Sequence, residues 1–172
     1  MVREIILLGN PVLREKCQRV RDFQSEETTS VIRDLADTLA DFRARHGFGR
    51  GIAAPQIGST WQIILLDFEI KGAMVNPKIT SRSQRSFRLW DDCFSFPDLM
   101  VMVDRSYRVT VEYRDEEGSL MSLEAEGALA ELLQHEIDHL NGILAIDRAI
   151  DSKHIILRSM HGKFIHQGAG VL

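Results

Sequence analysis

The chain has 172 residues, 44% of them hydrophobic and 27% charged, and a formal net charge of −4. That length suits a single domain over 1–172 with a full-sized core, and the acidic balance argues against a general nucleic-acid binder. No cationic leader with an apolar stretch opens the sequence and no apolar run approaches membrane-spanning length, so a cytoplasmic protein without direct nucleic-acid or membrane binding is expected.

The opening "MVREIILLGNPVLREKCQRV" reads as a short extended arm with a turn at Asn10-Pro11. "SEETTSVIRDLADTLADFRARHG" reads as a helix. Ser25 can cap it, acids fill its first turn, Val31, Leu35, Leu39 and Phe42 form an apolar stripe, and Gly47 ends it. "GFGRGIAAPQIGS" reads as a glycine-rich loop, followed by two strands, "WQIILLDF" and "AMVNPKI". "SYRVTVEYRDEEGSLMSLEAEG" reads as a hairpin turning at Glu116-Glu117-Gly118. "DSKHIILRSMHG" suits a short final helix capped by Asp151 or Ser152, and 163–172 a frayed tail. Strands grouped ahead of a helix, with hairpin connections, predict an α+β fold of mostly antiparallel sheet around that helix.

The helix in question carries "LLQHEIDHLNG", Leu132 to Gly142. Leu129, Leu132, Leu133, Ile137 and Leu140 mark a buried face, and Asn141-Gly142 supplies a stop. His135 and His139 are one turn apart and can point at one ion, while Glu136 lies off that axis, better placed to hold a water than to bind metal. This is H-E-x-x-H, in which two helical histidines bind a divalent ion and the glutamate is the general base of a hydrolase. The plain alternative is a surface helix with two chance histidines.

A catalytic ion normally has three protein ligands and one open position. The acids and Cys93, in "LWDDCFSFP", are the candidates. A thiolate suits a soft or borderline ion, although a lone cysteine is more often a small buried hydrophobe. Cys17 and Cys93 form no C-x-x-C pair and no disulfide is expected; Cys17 has no companion ligand nearby and reads as structural.

Three stretches, in order, resemble the peptide deformylase family: "GRGIAAPQ" (Gly49 to Gln56), "DDCFS" (Asp91 to Ser95) and "QHEIDHLNG" (Gln134 to Gly142). The family's patterns are G-x-G-φ-A-A-x-Q, E-G-C-φ-S and Q-H-E-φ-D-H-φ-x-G, with φ apolar. The opening arm resembles the family's as well, so the likeness spans nearly the whole chain. The second motif departs: Asp91 stands for Glu, Asp92 for Gly and Phe94 for Leu. Two adjacent acids beside a ligand could change loop geometry or metal affinity.

The resemblance implies one Fe²⁺, or else Zn²⁺, Ni²⁺ or Co²⁺, held by Cys93, His135 and His139, with water in the fourth position at a pKa lowered toward neutrality. It implies Glu136 as the base, and the Gln56 amide with the Phe94 backbone N–H as oxyanion donors. The substrate would be the N-formylated end of a nascent peptide, lined by Gly49, Arg50, Gly51, Ile52 and Glu131, and the enzyme a monomer. Without the resemblance, Gln56 reads as an ordinary loop residue, and Gly49 and Gly51 read as turn formers. A deformylase-like protein acting on another N-acyl amide, or only binding, is the alternative; all three ligands, Glu136 and Gln56 being present favours the enzyme.

Seven further charges invite readings. Asp138 and Arg105 could pair and orient the helix, or could be two solvated charges. Glu131 lies four residues before His135 and Arg50 lies between the two loop glycines, at positions usually apolar in the family; the two could pair across the pocket mouth or turn to solvent. Lys153, Arg158 and Lys163 could give at most a weak contact to the ribosome of the kind some family members make through a C-terminal helix; a solvated polar face is the competing expectation.

Overall fold

The computed structural model describes residues 1–166. After a 3-10 turn at Pro11–Arg14, where the Asn10 side chain accepts the Val12 N–H, comes α1, Glu26–His46. Ser25 Oγ accepts the Thr28 N–H at 3.1 Å and Gly47 closes the helix in the left-handed region at φ 76°. The strands follow as β1 (Gly51–Ala53), β2 (Ile63–Asp67), β3 (Lys71–Arg82), β4 (Ser86–Asp91), β5 (Leu99–Ser106), β6 (Arg108–Arg114) and β7 (Leu120–Glu126). Then come α2 (Gly127–Leu140), β8 (Ile155–Leu157) and α3 (His161–His166).

Two antiparallel sheets result, five strands in the order β1-β2-β3-β6-β7 and three in the order β4-β5-β8. Around β2 and the start of β3 the larger sheet is buried on both faces. Ile64, Leu66 and Met74 pack with Leu129, Leu133 and Ile137 of α2. The alternate residues Ile63, Leu65 and Val75 pack with Leu35, Leu39 and Phe42 of α1. The period of two along β2 therefore makes a continuous apolar run serve two helices. A third cluster, with Leu13, Cys93, Phe96, Val101, Val103 and Leu144, fills the smaller sheet.

Several expectations change. The glycine-rich loop contains strand β1 and a 3-10 turn at Ala54–Ile57. Strands β4 and β5 flank the Cys93 segment where no strands were expected. The final helix is not continuous: the segment runs as a 3-10 turn, the strand β8, and a second 3-10 turn leading to α3. "HIILRSM" carries β-branched residues, and β8 gains a partner at Val101, Met100 and Leu99 that local propensity could not foresee. In α1, Ile32 is buried and Val31 only partly so. The tail expected over 163–172 lies, beyond His166, outside the described residues.

Helix α2 also differs from the one-faced helix its pattern announces. Every residue from Leu129 to Leu140 is buried. A helix buried all round normally reads as apolar all round. Here Glu131, Gln134, His135, Glu136, Asp138 and His139 are inside, because the two sheets enclose the helix and each polar group must find a partner there.

Candidate active site

Three elements converge on α2. The segment after β4 brings Cys93, β1 and the turn after it bring Gly51 and Gln56, and α2 brings both histidines. The ligand atoms of Cys93, His135 and His139 lie within 4.8 Å of one another, all three residues buried. Cys93 Sγ is 3.3 Å from His139 Nε2. A second trio, Asp91, Glu131 and His135, is equally close, but its carboxylates already face Arg105 and Arg50. The cysteine and two imidazoles are thus the set without a guanidinium beside it, and their chemistry fits a borderline divalent ion.

Glu136 is 3% exposed and its Oε2 finds no hydrogen-bond partner among the described residues. Burial, with Asp91 and Glu131 nearby, pushes its carboxyl up to about 7, against the opposing pull of His135. A buried carboxylate kept partnerless is costly unless a ligand or water completes it. The backbone of Gly51 lies against this group: a Cβ there would stand 2.9 Å from Glu136 Oε1 and 2.9 Å from Leu66 Cδ2. Gly49 has φ 131°, and a Cβ on it would stand 2.9 Å from Phe94 Cζ. Their role is close approach as well as turning.

The Gln56 amide is fixed at both ends. Its Oε1 accepts the Ala53 N–H at 2.9 Å, and its Nε2 donates to Ser95 Oγ at 3.3 Å and toward Cys93 Sγ at 3.5 Å. Gln134 ties α2 to β5, accepting the Ser106 N–H, donating to the Ser106 carbonyl and accepting from Arg82.

His135 is oriented by an acid at a position that departs from the family pattern, whereas His139 Nδ1 finds no partner among the described residues. Asp91 meets His135 Nδ1 at 2.9 Å and Arg105 Nη2 at 3.1 Å. Arg105 is only 4% exposed and reaches on to Asp138 at 2.5 Å, where Arg148 joins at 2.8 Å. The Asp138–Arg105 pair therefore exists as part of a buried network. Burial alone would raise the Asp91 carboxyl, yet His135 and Arg105 outweigh it and hold it at about 2. Burial likewise disfavours a charged His135, but Asp91 raises its proton affinity; burial and His135 together push His139 well below its ordinary value. The contact on Nδ1 leaves His135 Nε2 as the atom free to face an ion.

These groups open into a cleft of about 450 Å³. Arg50 and Glu131 both line it and pair at 2.7 Å, so the two charges meet each other rather than turning to solvent. Burial and Asp91 raise the Glu131 carboxyl; Arg50 opposes them. The lining also carries Arg158, which pairs with Asp92 at 2.8 Å and lies 5.1 Å from the Phe48 ring centre. Phe48 in turn contacts Phe94, which stacks on Phe42 at 3.8 Å. Phe94 and Gly49 line the cleft too, whereas Ile52 turns its fully buried side chain into the α1 core.

The sequence reading gave no site role to Asp92, Arg158, Ser95 or Phe48. Asp91 and Asp92 adjoin Cys93 and were visible as departures. In sequence Arg158 suits a solvated face, and its place at the cleft follows from β8 joining β5, a long-range pairing.

A polypeptide deformylase family profile matches residues 2–154. A peptide deformylase of Dictyoglomus thermophilum is 34% identical over 152 residues, spanning 88% of this chain and 95% of the relative. One from Thermotoga maritima is 35% identical over 155 residues, spanning 90% and 91%. The crystal structure of the Thermotoga maritima peptide deformylase is similar at a TM-score of 0.80 and 34% identity, covering 88% of this chain and 99% of that one. The Synechococcus elongatus peptide deformylase, solved in complex with actinonin, is similar at a TM-score of 0.81 and 32% identity, covering 98% and 87%.

Proposed function

The chain belongs to the polypeptide deformylase family, metallo-hydrolases that remove the formyl group from N-terminal formyl-methionine, and from that premise we propose how its residues divide the work. Cys93, His135 and His139 hold one divalent ion, Fe²⁺ in the first instance, with Zn²⁺, Ni²⁺ or Co²⁺ as substitutes. The observation that carries this reading is the buried carboxylate of Glu136, partnerless on Oε2 and raised to about 7, beside that ligand trio.

When bound, the ion supplies a Lewis acid that makes water a nucleophile near neutral pH. Glu136 takes the proton of the attacking water and passes it to the leaving amine; a C–O bond forms, the formyl C–N bond breaks, and formate and a free amino terminus leave. Gln56 Nε2, oriented by Ala53 and Ser95, and the Phe94 backbone N–H stabilise the developing oxyanion. Strand β1 is an edge of its sheet. Because Arg50 O accepts the Asp67 N–H, antiparallel alternation turns the N–H and C=O of Gly51 toward that open edge, where an extended peptide can add as a strand. Asp91 keeps the His135 ring in one tautomer.

The proposed substrate, the N-formylated end of a nascent chain, supports a cytoplasmic location, and the ligand trio coming from one chain supports a monomer. Among the described residues no helix is long and apolar enough to cross a membrane. Arg158 faces the cleft, so any ribosome contact of the C-terminal segment has one cation fewer than the sequence offered. No observation favours a purely binding role. The test is formate release from formyl-Met peptides by anaerobic Fe²⁺ protein or by Ni²⁺ protein. Glu136→Gln should retain the metal and lose roughly 10²-fold or more in kcat; full activity would remove Glu136 from its role.

A further inference from the structure

We infer that the Arg50–Glu131 pair sets the substrate's first residue, and that the cleft prefers a neutral first side chain bearing a hydrogen-bond acceptor over an apolar one. The inference rests on the deformylase reading and refines it; formyl-Met remains a substrate.

Position is the first ground. Glu131 is one turn before His135 on the same face of α2, and Arg50 adjoins Gly51, whose backbone touches Glu136. A side chain one carbon away from the reacting amide has to lie against whatever flanks His135 and Glu136. On this wall that is an ion pair, closed at 2.7 Å.

Partnering is the second. The Glu131 side chain is 4% exposed, so its charge is answered inside the protein by Arg50. Arg50 is only partly buried and stands over the Phe68 ring at 5.3 Å. A guanidinium has five N–H donors. Among the described residues two of them find acceptors, Glu131 and, at a long 3.4 Å, the Ala128 carbonyl. The Arg50 side chain is 36% exposed and lines the cleft, so water hydrates the remaining donors until a bound side chain displaces it. An apolar side chain strips that water and returns nothing, whereas an amide or sulfoxide oxygen replaces it.

Charge balance is the third. An acidic side chain would approach Asp91, Asp92 and Glu131 with Arg50 already neutralised. A basic one would approach Arg43, Arg50 and Arg158, with Glu131 already occupied. Burial of a second unpaired charge is costly in either case. A neutral acceptor such as the side chain of glutamine, or of methionine sulfoxide, avoids both costs.

The experiment uses Ni²⁺-loaded protein and a panel of formyl-X-Ala-Ser peptides with X as Met, Met sulfoxide, Gln, Glu or Lys. Wild type should give kcat/KM for Gln and Met sulfoxide about 10-fold above Met, and Glu and Lys below Met. The Arg50→Met, Glu131→Leu double variant should reverse the order in favour of Met. Peptide Kd values for metal-loaded Glu136→Gln protein should follow the wild-type order, separating recognition from turnover. If wild type ranks Met first, by kcat/KM and by Kd, the specificity inference is overturned while the deformylase reading stands. If no formyl peptide is hydrolysed by the loaded protein, the deformylase reading fails and takes this inference with it.

Discussion

Gly51→Ala is the smallest change that should damage catalysis without replacing a catalytic group. Gly51 does not have a positive φ, so alanine meets no backbone strain there, only its neighbours. Its Cβ would lie 2.9 Å from Glu136 Oε1 and 2.9 Å from Leu66 Cδ2, where carbon contacts prefer about 3.5–4.0 Å. Leu66 is 1% exposed and Glu136 3%, so neither can swing into solvent. The methyl must displace the carboxylate, the leucine or strand β1 by roughly 0.5–1 Å. Overpacking of this kind costs about 1–3 kcal/mol, which corresponds to about 2–12 °C in Tm for a chain of this size. A reacting group misplaced by about 1 Å costs on the order of 10² in rate, so kcat for formate release should fall far more than stability does. Metal content should hold, because none of the three ligands is on β1. Gly162→Ala is the control, since nothing lies within 4 Å of its Cβ position. Wild-type kcat in Gly51→Ala, at unchanged metal content, would refute the placement of Glu136 at the chemistry.

Cys93→Ala should sharply lower metal content by elemental analysis, and Cys17→Ala should not; full occupancy in the former would remove Cys93 from the ligand set. Arg105→Met should lower stability by about 3–5 kcal/mol in urea titrations, because Asp91 and Asp138 stay buried with less positive charge beside them; a loss below about 1 kcal/mol would mean that His135 and Arg148 suffice. Burial, with Glu15 nearby, pushes the Cys17 thiol from 9.0 up to about 11. Its folded value exceeds its unfolded one, so its contribution is whole below pH 9 and fades as pH rises to 11, by about 2–3 kcal/mol. The stability difference between wild type and Cys17→Ala should narrow across that window, and a constant difference would refute the assignment.

What the sequence made legible is what depends on local period. The α1 boundaries follow from Ser25 and Gly47, the β6–β7 hairpin from Gly118, and the pairing of His135 with His139 from one helical turn. What it hid depends on contacts between distant segments. Strands β4 and β5 carry Arg88, Asp91, Asp104 and Arg105 among their apolar residues, so alternation is weak, and Arg105 looks like a surface cation until Asp91 and Asp138 are brought to it. The helix α2 pattern showed one apolar face and could not show that its polar face is inside. Ile52 sits in the second residue of a three-residue strand, where the direction of a side chain is set by register alone.

The departures from the family pattern have a common form in the structure: each added charge has a partner. Asp92, in place of glycine, meets Arg158 from the segment after β8. Arg50 and Glu131, in place of apolar residues, meet each other. Asp91, one methylene shorter than glutamate, still reaches both His135 and Arg105. Unpaired, any of these would place a charge against a buried metal ligand or the Glu136 carboxylate and shift the chemistry. Paired, they leave the ligand trio, Glu136 and Gln56 in place, and the altered charge falls on the walls of the cleft. Selectivity is therefore the property these substitutions can change most while the hydrolytic centre is kept.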